Sequence, residues 1–379
     1  MSEYTVEQVY RGDKRTLAEV KSLLEEEGIT LDANLDYTCV MRDSADRVIA
    51  TGSCFHNTLR CFAVSHIHQG EGLLNEIITH LIQYEADRGN LHLFLYTKIQ
   101  SAKFFSDLGF YEIARVADTL VFMENRKDGF ASSLEKWENE TRKIVKELIK
   151  SGSEQGVVEQ QEGAGERAGQ AEDNLPASAA IVMNANPFTN GHRYLVEQAV
   201  KDGKLLHLFV VSEDASLVPF AVRKRLIEEG TKAFPNIIIH DSGPYIISNA
   251  TFPSYFLKDE KSVIAGQARL DLAVFQRIAK ALHITTRYAG EEKSSEVTAL
   301  YNKIMQEELP KAQVALQVIP RKEEGGAPIS ASTVRSLIQA GEFSKIKSLV
   351  PPSTYVFFVS EEGKNVIKKI QEAKEVVHY

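Results

Sequence analysis

The chain has 379 residues, enough for two or three domains, and its 43% hydrophobic and 25% charged residues are typical of a soluble globular protein. The formal net charge of −8 argues against a nucleic-acid binder, because such proteins gain affinity by neutralising phosphates with Lys and Arg. Three cysteines without a CxxC pair argue against a disulfide framework or a zinc site. With no secretory signal and no apolar run long enough to span a membrane, we expect a cytoplasmic protein.

Residues 1–130 show alternating strand and helix signals, which predict a small α+β domain. Apolar runs such as residues 37–43 are bounded by turn residues and favour strands. Further along, apolar residues recur at helical spacing from Leu73 to Ile82. Residues 131–150 are charged and amphipathic, and we expect them to form a connecting helix.

Residues 151–175 are acidic, rich in Gly, Glu and Gln, and almost free of large apolar side chains. Such a segment cannot bury enough apolar surface to offset the entropy lost on ordering, so we predict a flexible linker. A polar helix is the alternative, although the glycines disfavour it.

Residues 176–379 predict a doubly wound, Rossmann-like α/β domain. Its candidate strands, such as residues 178–184 and 205–212, are continuous apolar runs, and helical patterns separate most of them. Continuous apolar runs are typical of parallel strands that are covered on both faces. In a sheet of this kind the ligand binds at the carboxyl ends of the strands.

A first polar motif, TNGH, lies between the first strand of this domain and the next helix. Thr189, Gly191 and His192 therefore fall at a helix N-terminus. Free backbone N–H groups and a positive partial charge favour phosphate there, and Gly191 has no Cβ to obstruct it. The alternative is that Thr189 or Asn190 simply caps the helix and that His192 is an ordinary first-turn residue.

A second polar motif, ISASTVR, follows a glycine-rich turn far downstream. Ser330 and Ser332 lie near another helix start, and Arg335 follows three residues after Ser332. Hydroxyls, a helix N-terminus and a guanidinium together make a second anion site. Here the alternative is a plain N-cap at Ser330 with Arg335 solvated.

Together the two motifs resemble the (H/T)xGH and ISSTxxR motifs of the nucleotidyltransferase superfamily, in the same order. The resemblance implies that Thr189 and His192 are catalytic, because they hold the triphosphate and stabilise charge on the α-phosphate. It also implies that Ser330, Ser332 and Arg335 grip the β and γ phosphates. Nucleotidyl transfer depends on positioning and electrostatic stabilisation, and it usually needs Mg²⁺.

Longer segments resemble the citrate lyase ligase family over almost the whole chain. They are MNANPFTNGHRYLVEQA, the aromatic loop GPYIISNATFPSYFLKDE, GQARLDLAVFQRIAKALHI and YAGEEKSSEVTALYNKIM. Lys293 stands where we expect proline after the paired acids, and the acidic linker looks like an insertion. Neither departure touches a phosphate-binding position.

That resemblance implies an acid–thiol ligase. Such an enzyme activates acetate with ATP, which forms acetyl-AMP and pyrophosphate. The acetyl group then passes to the prosthetic-group thiol of the citrate lyase acyl carrier subunit, and this activates citrate lyase.

Further candidate site residues are Asn186, Gly191 and Glu291 for ATP, and Thr251, Tyr255 and Lys258 in the aromatic loop for acetate or the incoming thiol. Glu291 and Glu292 would contact the adenosine or Mg²⁺, with a surface acidic pair as the alternative. Arg223 and Lys224 are candidates for binding phosphate or acetate, with a solvated helix face as the alternative.

Two N-terminal segments, HQGEGLLNEIITHLI and SAKFFSDLGFYEI, resemble motifs A and B of GNAT acetyltransferases. Gln69, Gly70 and Gly72 match the start of the turn that holds the acyl-CoA pyrophosphate, but Leu74 stands where a third glycine is expected. The resemblance implies a groove for a CoA-like group, such as the pantetheine-like arm of the carrier subunit. A GNAT-shaped scaffold without a cofactor is the alternative.

Two other classes of function stay open from the sequence. One is a nucleotidyltransferase that acts on a phosphorylated acceptor, and the other is a GNAT-type acetyltransferase with a regulatory C-terminal domain. Acetate-dependent exchange of pyrophosphate into ATP separates a ligase from both.

Overall fold

The computed structural model describes residues 4–32, 34–117, 119–150, 175–201, 203–212, 216–246, 252, 260–291 and 296–373. The chain divides into two compact units, one of Met1–Phe130 with Phe252–Ala273 and one of Ala131–Thr251 with Val274–Tyr379. Apart from Leu175, the predicted linker lies outside the described residues. Within the described part of the chain, no helix is long and apolar enough to cross a membrane.

The first unit is built around a mixed sheet. Its elements in chain order are β1 (Val6–Gln8), α1 (Lys14–Glu26), β2 (Tyr37–Arg42), β3 (Val48–Phe55), β4 (Thr58–Val64), α2 (Leu73–Asp87), β5 (Phe94–Lys98), α3 (Ile99–Asp107), β6 (Tyr111–Val116) and β7 (Leu120–Glu124). The strand order is β1-β2-β3-β4-β5-β7-β6, and β4 and β5 form a parallel pair in an otherwise antiparallel sheet. This arrangement confirms the predicted α+β fold.

Helix α2 covers this sheet with the apolar stripe that its sequence predicts. Ile77, Ile78 and Leu81 are buried, and they repeat at helical spacing toward β3. Gly52 of β3 lies directly beneath them, because a Cβ at this position would collide with the side chain of Ile77. The missing side chain therefore sets how closely α2 approaches the sheet.

The second unit contains the remaining elements. They are α4 (Gly129–Lys150), which begins at the end of the first unit, β8 (Ser178–Met183), α5 (Asn190–Val200), β9 (Leu205–Val210), α6 (Phe220–Thr231), β10 (Ile237–Asp241), α7 (Glu260–Ala281), which belongs to the first unit as far as Ala273, β11 (Ile284–Gly290), α8 (Glu296–Glu308), β12 (Ala315–Ile319), β13 (Glu323–Glu324), β14 (Ala327–Pro328), α9 (Ala331–Gln339), α10 (Phe343–Ile346), α11 (Pro352–Val359) and α12 (Lys364–Glu372).

The main sheet of the second unit is parallel and doubly wound. Its strand order is β10-β9-β8-β11-β12, and every neighbouring pair in that order is parallel. The first strand of the unit, β8, is therefore central, and the winding direction reverses between β8 and β11. This confirms the predicted Rossmann-like fold, and it makes the carboxyl ends of β8 and β11 the switch point at which such sheets bind ligands.

Arg223 of α6 is fully buried, so the alternative that it lies on a solvated helix face was wrong. Its Nε donates to the carbonyl oxygen of Val218 at 3.0 Å, and its Nη1 donates to the carbonyl oxygens of Asn184 and Val211 at 2.8 and 2.9 Å. The guanidinium thus holds together the segment that follows β8 and the segment that follows β9, which is a structural role. Lys224, one residue further along, lies at the surface in an ion pair with Asp241.

A pair of histidines is buried between β9 and β10. The Nδ1 of His207 and the Nε2 of His240 lie 2.9 Å apart, and Trp137 of α4 packs edge-on against His240. Burial lowers the pKa of both imidazoles, because a charged ring loses its hydration there. Both rings are therefore neutral in the folded protein, and one donates a hydrogen bond to the other.

This histidine pair should make the protein sensitive to acid. In the unfolded chain both rings bind protons below about pH 6.5, whereas the folded state excludes them. Lowering the pH from about 7 to about 5 should therefore reduce the free energy of unfolding by up to about 2 kcal/mol for each histidine. Urea unfolding at the two pH values should show that the free energy of unfolding falls less in His207→Gln than in the wild type. An equal loss in both proteins would contradict this explanation.

Candidate functional site

A cavity of about 570 Å³ opens at the carboxyl ends of the parallel strands, in the second unit. It lies at the switch point, between the residues that follow β8 and those that follow β11 and β12. The eight residues predicted from the sequence for catalysis or ATP binding in this unit all line it, namely Asn186, Thr189, Gly191, His192, Glu291, Ser330, Ser332 and Arg335. The structure therefore brings together two motifs that are far apart in the sequence.

Thr189 and His192 form a reciprocal cap at the start of α5. The Oγ1 of Thr189 accepts from the backbone N–H of His192 at 3.3 Å. In return, the Nδ1 of His192 accepts from the backbone N–H of Thr189 at 3.1 Å. This is the geometry of a capping box, with an imidazole in place of the usual carboxylate or amide. The capping role and the phosphate role that the sequence left as alternatives are thus compatible.

The cap also decides which nitrogen of His192 carries the proton. Because Nδ1 accepts a hydrogen bond, the neutral ring has its proton on Nε2, which makes Nε2 a donor. Burial lowers the pKa of His192 to about 4, and the positive charge of Arg321 acts in the same direction. At neutral pH His192 is therefore an uncharged hydrogen-bond donor on the cavity wall.

Gly191 marks the place where the two motifs touch. A Cβ at this position would lie 2.9 Å from the carbonyl oxygen of Ile329, the first residue of the second motif. We expected the absence of a Cβ to make room for a phosphate. The structure shows that it makes room for the main chain that leads into α9.

Asn190 fastens the same turn of α5 to the C-terminal part of the unit. Its backbone N–H donates to the carbonyl oxygen of Leu349 at 2.8 Å, and its Nδ2 donates to that of Ser348 at 2.8 Å. The N-terminus of α5 is therefore held by two separate segments of chain.

The second motif begins α9 with a cluster of hydroxyl groups. Ser330 is the N-cap, and its Oγ accepts from the backbone N–H of Thr333 at 3.0 Å. The hydroxyls of Ser332 and Thr333 lie 2.9 and 2.7 Å from the same Oγ. Since the N-terminus of a helix has a positive partial charge, the N-termini of α5 and α9 both favour an anion in the cavity.

Arg335 is buried, so the alternative that it is solvated was wrong. Its Nη1 donates to the carbonyl oxygen of Asn186 at 2.5 Å, which joins α9 to the loop after β8. The side chain of Asn186 is used as well, because its Oδ1 accepts from the backbone N–H of Val218 at 3.0 Å. Both residues line the cavity, and both help to shape it.

Two basic residues of the cavity were missed in the sequence. Arg321 and Lys322 come directly after β12 and line the cavity beside Glu291. The Nε of Arg321 donates to the carbonyl oxygen of Glu291 at 2.9 Å. The signal was present, since two adjacent cations at the carboxyl end of a parallel strand are well placed to bind an anion.

The remaining predicted residues lie elsewhere. Thr251, Tyr255, Lys258 and Glu292 are outside the described residues. Gln69, Gly70 and Gly72 belong to the first unit and form the turn before α2; they are exposed, and both glycines have positive φ angles, 92° and 83°.

Strand order and cavity together define the second unit as a Rossmann-like α/β unit with a cavity at its switch point. A family profile described as the C-terminal domain of citrate lyase ligase matches residues 178–358. The citrate (pro-3S)-lyase ligase of Escherichia coli K12 is 35% identical over 91% of this chain and 91% of its own length. That of Klebsiella pneumoniae is 34% identical over 92% and 94%, and that of Haemophilus influenzae is 32% identical over 90% and 95%.

The chain belongs to the citrate lyase ligase family, which confirms both the resemblance seen in the sequence and the prediction of a ligase. A GNAT-family acetyltransferase from Staphylococcus aureus covers 32% of the chain and 99% of its own length, at 14% identity and a TM-score of 0.28. That score is too low to carry an argument, so the fold of the first unit rests on its own strand order.

Replacing Gly191 by Ala should destabilise the second unit. The added Cβ would press on the main chain at Ile329, which typically costs about 1–3 kcal/mol, whereas the gain in helix propensity is at most about 1 kcal/mol. Gly290→Ala is the matched control, because a Cβ there has no described atom within 4 Å. Urea unfolding should show a lower free energy of unfolding for Gly191→Ala alone, and equal stability of the two variants would contradict the close contact.

The ring of His192 should keep one tautomer across the neutral pH range. Since the cap occupies Nδ1, nitrogen-15 NMR of the histidine rings should show His192 protonated on Nε2 and neutral down to about pH 5. A His192→Asn variant identifies the resonance. A proton on Nδ1, or a pKa near the ordinary value of about 6.5, would show that the cap is not formed in solution.

Proposed function

We propose that this chain activates citrate lyase by ATP-dependent acetylation. In the first step, acetate is joined to AMP with release of pyrophosphate. In the second, the acetyl group passes to the prosthetic-group thiol on the acyl carrier subunit of citrate lyase. Family membership over about nine-tenths of the chain supports the overall reaction. The observation that carries the adenylyl chemistry is the convergence of both motifs on one cavity.

The first step is a displacement at the α-phosphorus of ATP. A carboxylate oxygen of acetate forms a bond to phosphorus while the bond to the β-phosphate oxygen breaks and pyrophosphate leaves. Acetate is already an anion, so the step needs no general base. The protein has to hold the two reactants in line and stabilise the negative charge that develops on the phosphate oxygens.

The cavity residues suit these tasks. His192 supplies a neutral Nε2–H donor for the α-phosphate, in a position fixed by its cap with Thr189. The N-terminus of α9, with the hydroxyls of Ser330 and Ser332, suits the β and γ phosphates that leave together. Arg335 adds positive charge below them, although one of its nitrogens is already bonded to the main chain.

Mg²⁺ fits this site mainly through the substrate. The part of the chain that the structure describes contains no cluster of three His, Cys, Asp or Glu residues able to hold a metal ion. Mg²⁺ commonly binds through phosphate oxygens and water with one or two carboxylates, and Glu291 on the cavity wall can provide one. When bound, the ion would neutralise charge on the departing pyrophosphate.

In the second step the thiol attacks the acetyl carbon, AMP leaves with the bonding electrons, and the thiol proton is released. We propose that Thr251, Tyr255 and Lys258, in the aromatic loop of the sequence, bind acetate or the incoming thiol. The turn of Gln69, Gly70 and Gly72 in the first unit is our candidate for a CoA-like group, such as the pantetheine-like arm. The reaction would take place in the cytoplasm, where ATP is available.

The proposal predicts acetate-dependent exchange of labelled pyrophosphate into ATP. His192→Ala should lower this exchange by about 10²–10³-fold, because it removes a donor to the developing charge. His283→Asn is the matched control, since His283 is exposed and has a positive φ angle that Asn tolerates. Thermal unfolding should confirm that both variants are folded.

Three acceptors make the assay decisive: acetate, citrate and a phosphorylated alcohol. Exchange that depends on acetate supports the ligase. Exchange that requires the phosphorylated alcohol would replace the ligase with a plain nucleotidyltransferase. Undiminished exchange in a folded His192→Ala protein would remove His192 from the chemistry.

A further inference from the structure

A permanent positive charge lies beside His192, outside both sequence motifs. Arg321 follows β12 and is half-buried, and it lines the same cavity as His192. Its charge contributes to the lowered pKa of His192, so the two side chains are electrostatically coupled. Its Nε donates to the carbonyl oxygen of Glu291, which holds the guanidinium at the carboxyl edge of the sheet.

The backbone around Arg321 is fixed by a small hairpin. Strands β13 and β14 are joined by Gly325 and Gly326, whose φ angles of 59° and 79° match a tight two-residue turn that requires glycine. At the base of this hairpin the backbone N–H of Ile329 donates to the carbonyl oxygen of Lys322 at 2.9 Å. Arg321 and the start of α9 therefore lie at the same end of the hairpin.

The cations that line the described part of the cavity are Arg321, Lys322 and Arg335. Arg335 is buried and bonded to the main chain at Asn186, and the proposed function already assigns it to the leaving β and γ phosphates. Lys322 is exposed, and a flexible lysine loses more freedom for each hydrogen bond it makes than a planar guanidinium does. Arg321 combines a fixed position with coupling to His192.

The chemistry of adenylyl transfer needs such a group. His192 is neutral at working pH, so it can donate a hydrogen bond but cannot balance a full negative charge. A guanidinium is always protonated and binds phosphate oxygens in a planar, two-pronged geometry. We propose that Arg321 is a catalytic residue that contacts the α-phosphate of ATP and, together with His192, stabilises the charge that develops there. This assignment rests on the proposed function and deepens it.

The test compares Arg321→Gln with Arg321→Lys and with Arg225→Gln in the full-length protein. Arg225 is a partly exposed residue of α6 that pairs with Glu362 at the surface and does not line the cavity. Arg321→Gln should lower the kcat of ATP–pyrophosphate exchange by about 10²–10³-fold, with a much smaller change in the KM for ATP, because the interaction strengthens in the transition state. Arg321→Lys should keep part of the activity, and Arg225→Gln should keep nearly all of it.

A second measurement separates chemistry from structure. NMR titration of His192 without any substrate should show a higher pKa in Arg321→Gln than in the wild type, because the neighbouring positive charge is gone. Arg321→Lys should stay closer to the wild type, and Arg225→Gln should match it. A purely structural role for Arg321 would lower thermal stability without this ordered set of shifts.

Two results would overturn the assignment. One is a rate of ATP–pyrophosphate exchange in a folded Arg321→Gln protein that lies within about threefold of the rate in Arg225→Gln. Loss of a hydrogen-bond donor to the developing charge should lower the rate far more than that. The other is an unchanged pKa of His192 in Arg321→Gln, since the two groups would then not be neighbours. If the wild type exchanges only with a phosphorylated acceptor, the proposed function fails. The ratio of the exchange rates of Arg321→Gln and Arg225→Gln, measured with that acceptor, then still tests the role of Arg321.

Discussion

Helix α5 touches the main chain that leads into α9 at Gly191, and the candidate site is built on this contact. It allows the backbone of Ile329 to approach closer than any side chain would permit. Two helix N-termini, each with a positive partial charge, are thereby brought to one cavity. Arg335 strengthens the same junction from below by bonding to the carbonyl oxygen of Asn186. The proposed anion binding and the packing of the second unit thus depend on the same few atoms.

Neutral and charged groups have distinct tasks in this cavity. The imidazole of His192 is held neutral by burial and by its cap, so it offers an oriented hydrogen-bond donor without a net charge. Positive charge comes from helix N-termini and from guanidinium groups, which do not titrate at physiological pH. An arrangement of this kind keeps its electrostatic character constant across the neutral pH range. Toward acid pH, the lowered pKa of His192 adds to the acid sensitivity that we predict for the pair His207 and His240, because all three rings bind protons more readily in the unfolded chain.

The sequence predicts the local features of the site better than its long-range contacts. The spacing of Thr189 and His192 places both at a helix start, and strand patterns predict the doubly wound sheet; both features follow from neighbours in the chain. Gly191 was predicted to make room for a phosphate, but its neighbour in the structure is a carbonyl 138 positions away, which no local pattern reveals.

The same limit explains the misjudged arginines. Arg223 stands in a helix whose polar spacing suggests a solvated face, yet its guanidinium is enclosed by main-chain carbonyls from other loops. Arg321 and its neighbour Lys322 were overlooked because basic residues after an apolar run are common. The significance of Arg321 appears only when β11 and β12 pair and bring Glu291 beside it.

The bonds from Asn190 to Ser348 and Leu349 have a consequence for how the protein is made. They join positions that are more than 150 residues apart, so the loop that they close is long. Such contacts form slowly, because chain entropy must be lost before they contribute stability. During synthesis the first motif leaves the ribosome well before its partners exist. The cavity can therefore be completed only after nearly the whole chain has emerged, and a prematurely terminated protein would retain much of the sheet but lack a finished anion site.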